Sequence, residues 1–248
     1  MLVLSDPTTR RFAQVAGAQY IVIAAAGFFS ILWVPAQLTV PGDPAGTAAL
    51  IAARPGLFAA GIAGDVVMMM AEVILSVMLY AMFRSHNPVL AMAALVARLM
   101  MAAVMAVMLL PQAAVLALST GAMPLHSTDA AELAWVLRQF DLAGVWVWQV
   151  FFTLHLWLLG VLAWTSGAVP RLLAAGLAIG GTGYLVDSIR AFAFPGSPVL
   201  EFTGMGLLAI VTLAEIGFAL WLLVWGRVPS ASGTPVADAS KSPAIPVS

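Results

Sequence analysis

Long apolar stretches alternate with short polar connections along the chain. Six of these stretches reach the length of about 20 residues that a helix needs to cross a ~30 Å hydrocarbon core. They cover approximately residues 12–38, 55–83, 88–118, 141–164, 170–192 and 200–226. A helix satisfies its own backbone hydrogen bonds in lipid. The pattern therefore predicts an all-α polytopic membrane protein, with six transmembrane helices in a bundle.

Two segments outside these spans have a different character. Residues 129–140 carry Glu132, Trp135 and Arg138 among apolar residues, which predicts an amphipathic segment at the membrane interface before span four. Residues 228–248 are rich in Pro, Ser and Ala, which predicts a disordered tail. The domain organisation is thus one membrane domain over residues 1–227 and a tail. Pro111, inside the third span, predicts a kink.

Composition excludes several classes of protein. Hydrophobic residues make up 62% of the 248 residues and charged residues 8%, with a mean hydropathy of +1.04. A soluble domain carries roughly 25% charged residues, so a cytosolic enzyme is excluded. The formal net charge of −1 offers no basic field for nucleic acid. The expected partner is the lipid bilayer, with a small-molecule or lipid ligand in addition, and the sequence leaves the oligomeric state open.

The basic residues predict the orientation of the chain in the membrane. Loops rich in Lys and Arg stay on the cytoplasmic side. When the spans alternate, one side receives Arg10, Arg11, Arg84, Arg171, Arg227 and Lys241, and the other receives Arg54, Arg190 and, at its edge, Arg138. Both termini are therefore predicted to be cytoplasmic. The Arg-, Ala-, Val- and Gly-rich composition indicates a GC-rich bacterial genome, hence a bacterial cytoplasmic membrane.

Ionisable side chains inside the spans form two predicted layers. The inner layer lies about 14–16 Å from the cytoplasmic ends at 1.5 Å per residue, and contains Glu72, Arg98, His155 and Glu215. The short loop between spans two and three makes them antiparallel neighbours, so Glu72 and Arg98 are expected to form an ion pair. An outer layer contains Asp65, Tyr184, Asp187 and Arg190, in which Asp187 and Arg190 can pair at i, i+3. On span four, Asp141, Trp148 and His155 form a stripe from the outer interface to the inner layer.

Buried charges in a membrane are costly and mark either a packing network or a functional site. In the first interpretation Glu72 and Glu215 both satisfy Arg98, His155 donates a hydrogen bond, and the network fixes helix register. In the second the layer lines a mid-membrane cavity of a small-molecule or proton-coupled binding protein or transporter. In the third, His155 is the general base of an intramembrane enzyme that acts on a lipid or apolar substrate through a lateral opening.

A structural or signalling role is a further alternative. Gly176 and Gly180, with Gly181 and Gly183, form a small-residue face on span five that could dock another chain. No metal and no cofactor are expected. Cysteine is absent, His155 is the only histidine within a span, and Arg98 at the same depth would repel a cation. Whether the chain is an enzyme stays open.

The second half of the sequence resembles one bacterial family. The matching stretches are Leu154-His155-Leu156, Leu159-Gly160, Pro170-Arg171-Leu172-Leu173, Gly181-Thr182-Gly183-Tyr184-Leu185-Val186-Asp187, Ala214-Glu215-Ile216 and Leu220-Trp221-Leu222-Leu223 with Gly226, and near the start Arg11, Gly17 and Tyr20. They resemble the multi-pass membrane family of the domain of unknown function 4386, over roughly residues 10–227. The sequence departs from the family at Ala175-Gly176, since the family usually has a Leu-Gly pair two or three residues earlier. The resemblance implies a six-span inner-membrane protein, implies no established reaction, and marks His155, Tyr184, Asp187 and Glu215 as motif positions.

Overall fold

A computed structural model describes residues 6–125 and 129–231. Within these ranges the chain is helical and has no strand. The elements are α1 (Arg10–Gly27), a π-helical segment (Phe28–Trp33), α2 (Val34–Leu38), α3 (Pro44–Ala53), α4 (Pro55–Phe83), α5 (Pro88–Ser119), α6 (Ala130–Ser166), α7 (Arg171–Ala193) and α8 (Pro198–Val224). The first three run together as one span, Arg10–Leu38. Six helices are long and apolar enough to cross a membrane, so the predicted all-α polytopic fold is confirmed.

Local sequence signals set the helix starts. Asp43, Asn87 and Ser197 each precede a proline, and each side chain accepts a hydrogen bond from a backbone N–H of the first turn. This is the usual pairing of a polar N-cap with proline at the first helical position. At the other end of α6, Gly167 adopts a φ of 67°, the left-handed conformation that commonly ends a helix.

The six spans form a closed ring. Each span packs against the spans that precede and follow it, and the first also packs against the last. The start of α1 and the end of α8 are joined directly, because Arg10 Nη2 donates to the Val224 carbonyl oxygen at 2.6 Å and Arg227 Nε donates to the Thr8 carbonyl oxygen at 3.3 Å. The start of the first span and the end of the last span therefore lie at the same end of the helix bundle.

The structure differs from the sequence expectation at the start of span four. The expected interfacial segment is instead the first part of α6, which is continuous from Ala130. Ala134 is buried in a small apolar cluster with Ile51 of α3 and with Val115 and Leu118 of α5. This packing extends the helix outward and turns Arg138 toward the bundle, away from a purely interfacial position.

The first residue of the expected tail is packed against the bundle. Val228 is 1% exposed and belongs to the main apolar core, so packing continues past residue 227. Residues 232–248, the rest of the expected tail, lie outside the described residues. Pro111 lies inside α5 without ending the helix.

The glycine face predicted on span five is covered from within the chain. A Cβ atom added at Gly180 would lie 2.8 Å from the Cα atom of Val211, and one at Gly183 would lie 2.7 Å from the backbone nitrogen of Leu208. Gly181 faces Leu156 of α6 at a similar distance. The small residues thus allow α7 to approach α8 and α6 closely, and this face is not open to another chain.

Candidate functional site

Every span contributes one polar side chain to a layer near the middle of the bundle. We call this set the inner polar cluster, and it contains Tyr20 (α1), Glu72 (α4), Arg98 (α5), His155 (α6), Tyr184 (α7) and Glu215 (α8). Four of these residues are the predicted inner layer. Tyr20 is an addition, and Tyr184, predicted in the outer layer, instead contacts Glu215 of this layer. Both are aromatic hydroxyls that buried charges can use as partners.

Arg98 lies at the centre of this cluster. It is 0% exposed, and its Nε donates to Glu72 Oε2 in an ion pair that confirms the expected contact between spans two and three. Its guanidinium carbon also lies 5.2 Å from the ring centre of Tyr20 and 5.5 Å from that of Phe152. The charge is therefore enclosed by one carboxylate and two aromatic faces, an arrangement that favours a desolvated cation.

Hydrogen bonds determine the protonation state of His155. Arg98 Nη1 lies 2.9 Å from His155 Nε2, and His155 Nδ1 lies 2.9 Å from the Ala94 carbonyl oxygen. Arginine can only donate and a carbonyl can only accept, so Nε2 is the acceptor and Nδ1 carries the proton. His155 is thus neutral. It accepts a hydrogen bond from Arg98, where the sequence interpretation had it donate one.

The surroundings of His155 are closed. Both ring nitrogens are occupied, and the adjoining cavity has a volume of about 10 Å³. A site for one water molecule needs about 10–15 Å³ by this measure, so the cavity is at most the size of a single water molecule. His155 is 1% exposed, and among the described residues its side chain presents neither a free nitrogen nor space for a substrate.

Glu215 has a different partner from the one expected. Among the described residues, Glu72 is the carboxylate paired with Arg98, whereas Glu215 accepts a long hydrogen bond of 3.5 Å from the Tyr184 hydroxyl. Glu215 is also only partly buried. Glu215 still lies close enough to Arg98 and Glu72 to interact electrostatically with both, but its hydrogen bond is to Tyr184.

The predicted outer layer divides into two groups. Asp187 and Arg190 form the expected i, i+3 ion pair at 3.0 Å, and Gln149 Nε2 donates to Asp187 Oδ2 at 3.3 Å. This group lies between α6 and α7. Asp65 lies elsewhere, in a cavity among the first span, α4, α5 and α6.

We call this space the outer cavity. Its volume is about 100 Å³, and most of its lining is apolar. Its polar lining residues are Ser30, Asp65, Gln112, Arg138, Asp141 and Trp148. Asp65 and Asp141 are carboxylates inside spans, and both line this cavity. Four further cavities among the described residues have no carboxylate in their lining.

A glutamine bridges two carboxylates at the outer cavity. Gln112 Nε2 donates to Asp65 Oδ2 at 2.9 Å and to Asp141 Oδ1 at 3.1 Å. Arg138, the nearby cation, donates to Thr39 Oγ1 at 2.6 Å. Asp65 Oδ1 is buried and has no hydrogen-bond partner in the structure. The cavity is thus lined by two carboxylates and one guanidinium, and one oxygen of these carboxylates lacks a hydrogen-bond partner among the described residues.

The backbone beside the outer cavity is irregular. Ser30 and Ile31, from the π-helical segment, line the cavity, and Ser30 Oγ donates to the Ala26 carbonyl oxygen at 2.9 Å. Short π-helical segments occur frequently at functional sites. Within the described parts of the chain, no three His, Cys, Asp or Glu side chains approach closely enough to hold a metal ion.

Sequence reasoning missed the central residue of this site. Gln112 is neutral, so a search for charges within the spans passes over it. A signal was available, because an amide in a span is costly without a partner and Gln112 follows Pro111 directly. Asp141 and Trp148 were placed correctly on one stripe, and both line the outer cavity, whereas His155 of the same stripe belongs to the inner polar cluster.

Comparison with known proteins supplies the family. Over 78 residues the chain is 36% identical to an "Uncharacterized protein" of Archaeoglobus fulgidus, a match that covers 32% of this chain and 43% of that protein. No solved structure matches the chain significantly. The family model described as "Domain of unknown function (DUF4386)" matches residues 15–226. This range contains the whole inner polar cluster and the outer cavity, and the chain therefore belongs to the DUF4386 family.

Proposed function

We propose that this chain is a binding protein of the bacterial cytoplasmic membrane whose outer cavity holds a small organic cation. The observation that carries the proposal is a pair of carboxylates, Asp65 and Asp141, that line the cavity and share the amide of Gln112, while Oδ1 of Asp65 is buried without a hydrogen-bond partner among the described residues. A buried acceptor without a donor costs about 1–3 kcal/mol. A ligand that donates a charged N–H to this atom would recover that energy.

Charge and size define the ligand class. Two carboxylates outnumber the single guanidinium of Arg138, which is itself hydrogen-bonded to Thr39. The cavity volume of about 100 Å³ equals roughly three water molecules. An ammonium group that carries a short alkyl group fits both limits. Binding of this kind is the step that a membrane receptor and a transporter share.

In this proposal the inner polar cluster does not bind ligand but holds together the helices that form the outer cavity. Its guanidinium, carboxylate and imidazole are mutually paired, and the cavity that adjoins His155 is at most the size of one water molecule. A paired network of this type fixes the register of neighbouring helices. The outer cavity, and not the mid-membrane layer, is then the place where a ligand binds.

Binding can be tested with ethylammonium and its neutral analogue ethanol. We expect the purified protein in lipid nanodiscs to bind ethylammonium saturably in isothermal titration, and ethanol not at all. Asp65→Asn keeps the shape of the side chain but removes its charge. It is expected to weaken ethylammonium binding roughly 10–100-fold, because hydrogen bonds to charged groups contribute about 1.5–3 kcal/mol.

Asp187→Asn is the matched control, since Asp187 is a carboxylate in a neighbouring span that does not line the outer cavity. Its ethylammonium affinity should equal that of the unaltered protein. Absence of saturable ethylammonium binding, or equal losses in Asp65→Asn and Asp187→Asn, would contradict the proposed function.

The orientation in the membrane is part of the proposal. The start of the first span and the end of the last lie on the side that carries Arg10, Arg11, Arg84, Arg171 and Arg227, whereas the other side carries Arg54, Arg138 and Arg190. This distribution supports cytoplasmic termini under the positive-inside rule.

Single cysteines test the orientation directly, because the natural chain contains none. Ser85 and Gly196 are exposed loop residues at opposite ends of the bundle. We expect a membrane-impermeant maleimide to label Gly196→Cys in intact cells and to label Ser85→Cys only after permeabilisation. The reverse pattern would place the termini outside.

A further inference from the structure

A long apolar groove runs along the lipid-facing side between α5 and α6. Its volume is about 830 Å³, and its walls include Val107, Phe140 and Val147. Val107 is 63% and Phe140 65% exposed. In a bilayer such a surface is in contact with acyl chains, so an alkyl chain can occupy the groove without leaving an apolar environment.

Met108 lies between this groove and the outer cavity. It is the residue that lines both spaces. Its neighbour across the helix contact is Gly144, where an added Cβ atom would lie 2.8 Å from Met108 Sδ. The missing side chain of Gly144 thus provides the room that Met108 occupies. Methionine is unbranched and flexible, so this partition can change rotamer without movement of the helices.

The two spaces lie on opposite sides of the same pair of helices. Pro111 borders the groove and the next residue, Gln112, borders the cavity; Phe140 and Asp141 are related in the same way. The polar side chains that line the cavity and the apolar side chains that line the groove are therefore about one side chain apart. The small cavity matches a head group, and the larger groove matches a chain.

We propose that the ligand is an alkylammonium amphiphile that enters from the bilayer between α5 and α6. Its ammonium group lies beside Asp65 and Asp141, and its alkyl chain passes Met108 and rests in the groove. This inference rests on the proposed function, because it assigns the same site a more specific ligand and a route. Charge complementarity selects the amine, and the adjacency of cavity and groove on the two sides of Met108 selects the chain.

The location of the chain can be read by photolabelling. The probe is dodecylamine with a diazirine at its far end, and dodecanol with the same diazirine serves as the neutral control. In nanodiscs we expect the amine to crosslink within residues 103–114 and 137–147, and ethylammonium to compete. The alcohol should label the lipid-facing surface without this preference.

Matched valines test whether the groove holds the chain. Val147 lines the groove and is 40% exposed, whereas Val161 on the same helix is 46% exposed and lies outside it. We expect Val147→Trp to reduce amine crosslinking at least tenfold and Val161→Trp to leave it unchanged. Both variants should bind ethylammonium with unaltered affinity. Met108→Ala is expected to raise the labelling rate several-fold.

The outcomes separate the two proposals. If Val147→Trp leaves the amine crosslinks unchanged while ethylammonium binding still depends on Asp65, the amphiphile and its route are wrong and the proposed function stands. If neither ethylammonium nor the labelled amine depends on Asp65, the proposed function itself is wrong. Crosslinks of amine and alcohol at the same sites in equal yield would also overturn the inference.

Discussion

Replacement of Glu72 by glutamine is expected to destabilise the helix bundle by about 3–5 kcal/mol, the usual cost of removing one partner of a buried ion pair. Arg98 is 0% exposed, and Glu72 is the carboxylate paired with it. Glutamine is nearly the same size, so the packing changes little while the guanidinium loses its counter-charge. Tyr20 and Phe152 cannot supply it, because their rings offer only a weak attraction, and Glu215 acts on Arg98 only from beyond ion-pair distance. The measurement is equilibrium unfolding in detergent micelles, followed by tryptophan fluorescence.

Glu201 provides the control for this substitution. It is an exposed glutamate in the first turn of α8, where its charge interacts with the helix dipole alone. Glu201→Gln should cost less than about 1 kcal/mol. A Glu72→Gln variant as stable as Glu201→Gln would show that Arg98 is solvated or differently paired, contrary to the structure.

A second substitution distinguishes loss of charge balance from loss of packing. Arg98→Gln in the Glu72→Gln background removes the orphaned charge and keeps an amide that can donate to His155. A buried ion pair as a whole contributes little compared with neutral replacements. The double variant is therefore expected to be more stable than Glu72→Gln alone. Equal or lower stability of the double variant would contradict the account of Arg98 as an enclosed charge.

The ion pair between Glu72 and Arg98 was predictable from sequence for a specific reason. Two antiparallel helices joined by a short loop have a known relation, and the rise per residue places both side chains at one depth. The polarity of the loops and the lengths of the apolar stretches likewise fixed the number of spans. The same reasoning placed Glu215 at that depth, but depth does not determine rotation about a helix axis. Glu215 consequently hydrogen-bonds with Tyr184 and acts on Arg98 only from beyond ion-pair distance.

The outer cavity was not predictable, because it depends on contacts among four segments far apart in sequence. Asp65 was identified as a buried charge, but its partner Gln112 is neutral and lies 47 positions away. Arg138 was assigned to an interfacial segment, and only the packing of α6 against α3 and α5 turns it toward the bundle. The volume of a cavity follows from side-chain packing in three dimensions, for which a hydropathy pattern carries no information.

Gly180→Val is expected to cost about 3 kcal/mol or more, at or above the upper end of typical overpacking in a core. A Cβ atom at this position would meet the Cα atom of Val211 at 2.8 Å. The clashing atoms belong to the backbone of α8, so no rotamer change relieves the contact and the two helices must separate. Gly176 and Gly183 lie on the same contact, and separation there would loosen the whole α7–α8 interface.

Gly206→Val is the matched control, since Gly206 is a glycine of α8 with no atom within 4 Å of an added Cβ. Gly206→Val should be neutral or slightly stabilising, because glycine is about 0.8–1.0 kcal/mol less favourable than alanine within a helix. Glycine-to-valine substitution is therefore expected to lower the stability of the bundle at Gly180 but not at Gly206. Thermal unfolding of both variants in the same detergent gives the comparison. If Gly180→Val unfolds at the temperature of Gly206→Val, then α7 and α8 do not approach as closely as their glycines permit, and this face of the bundle would again be open to a partner.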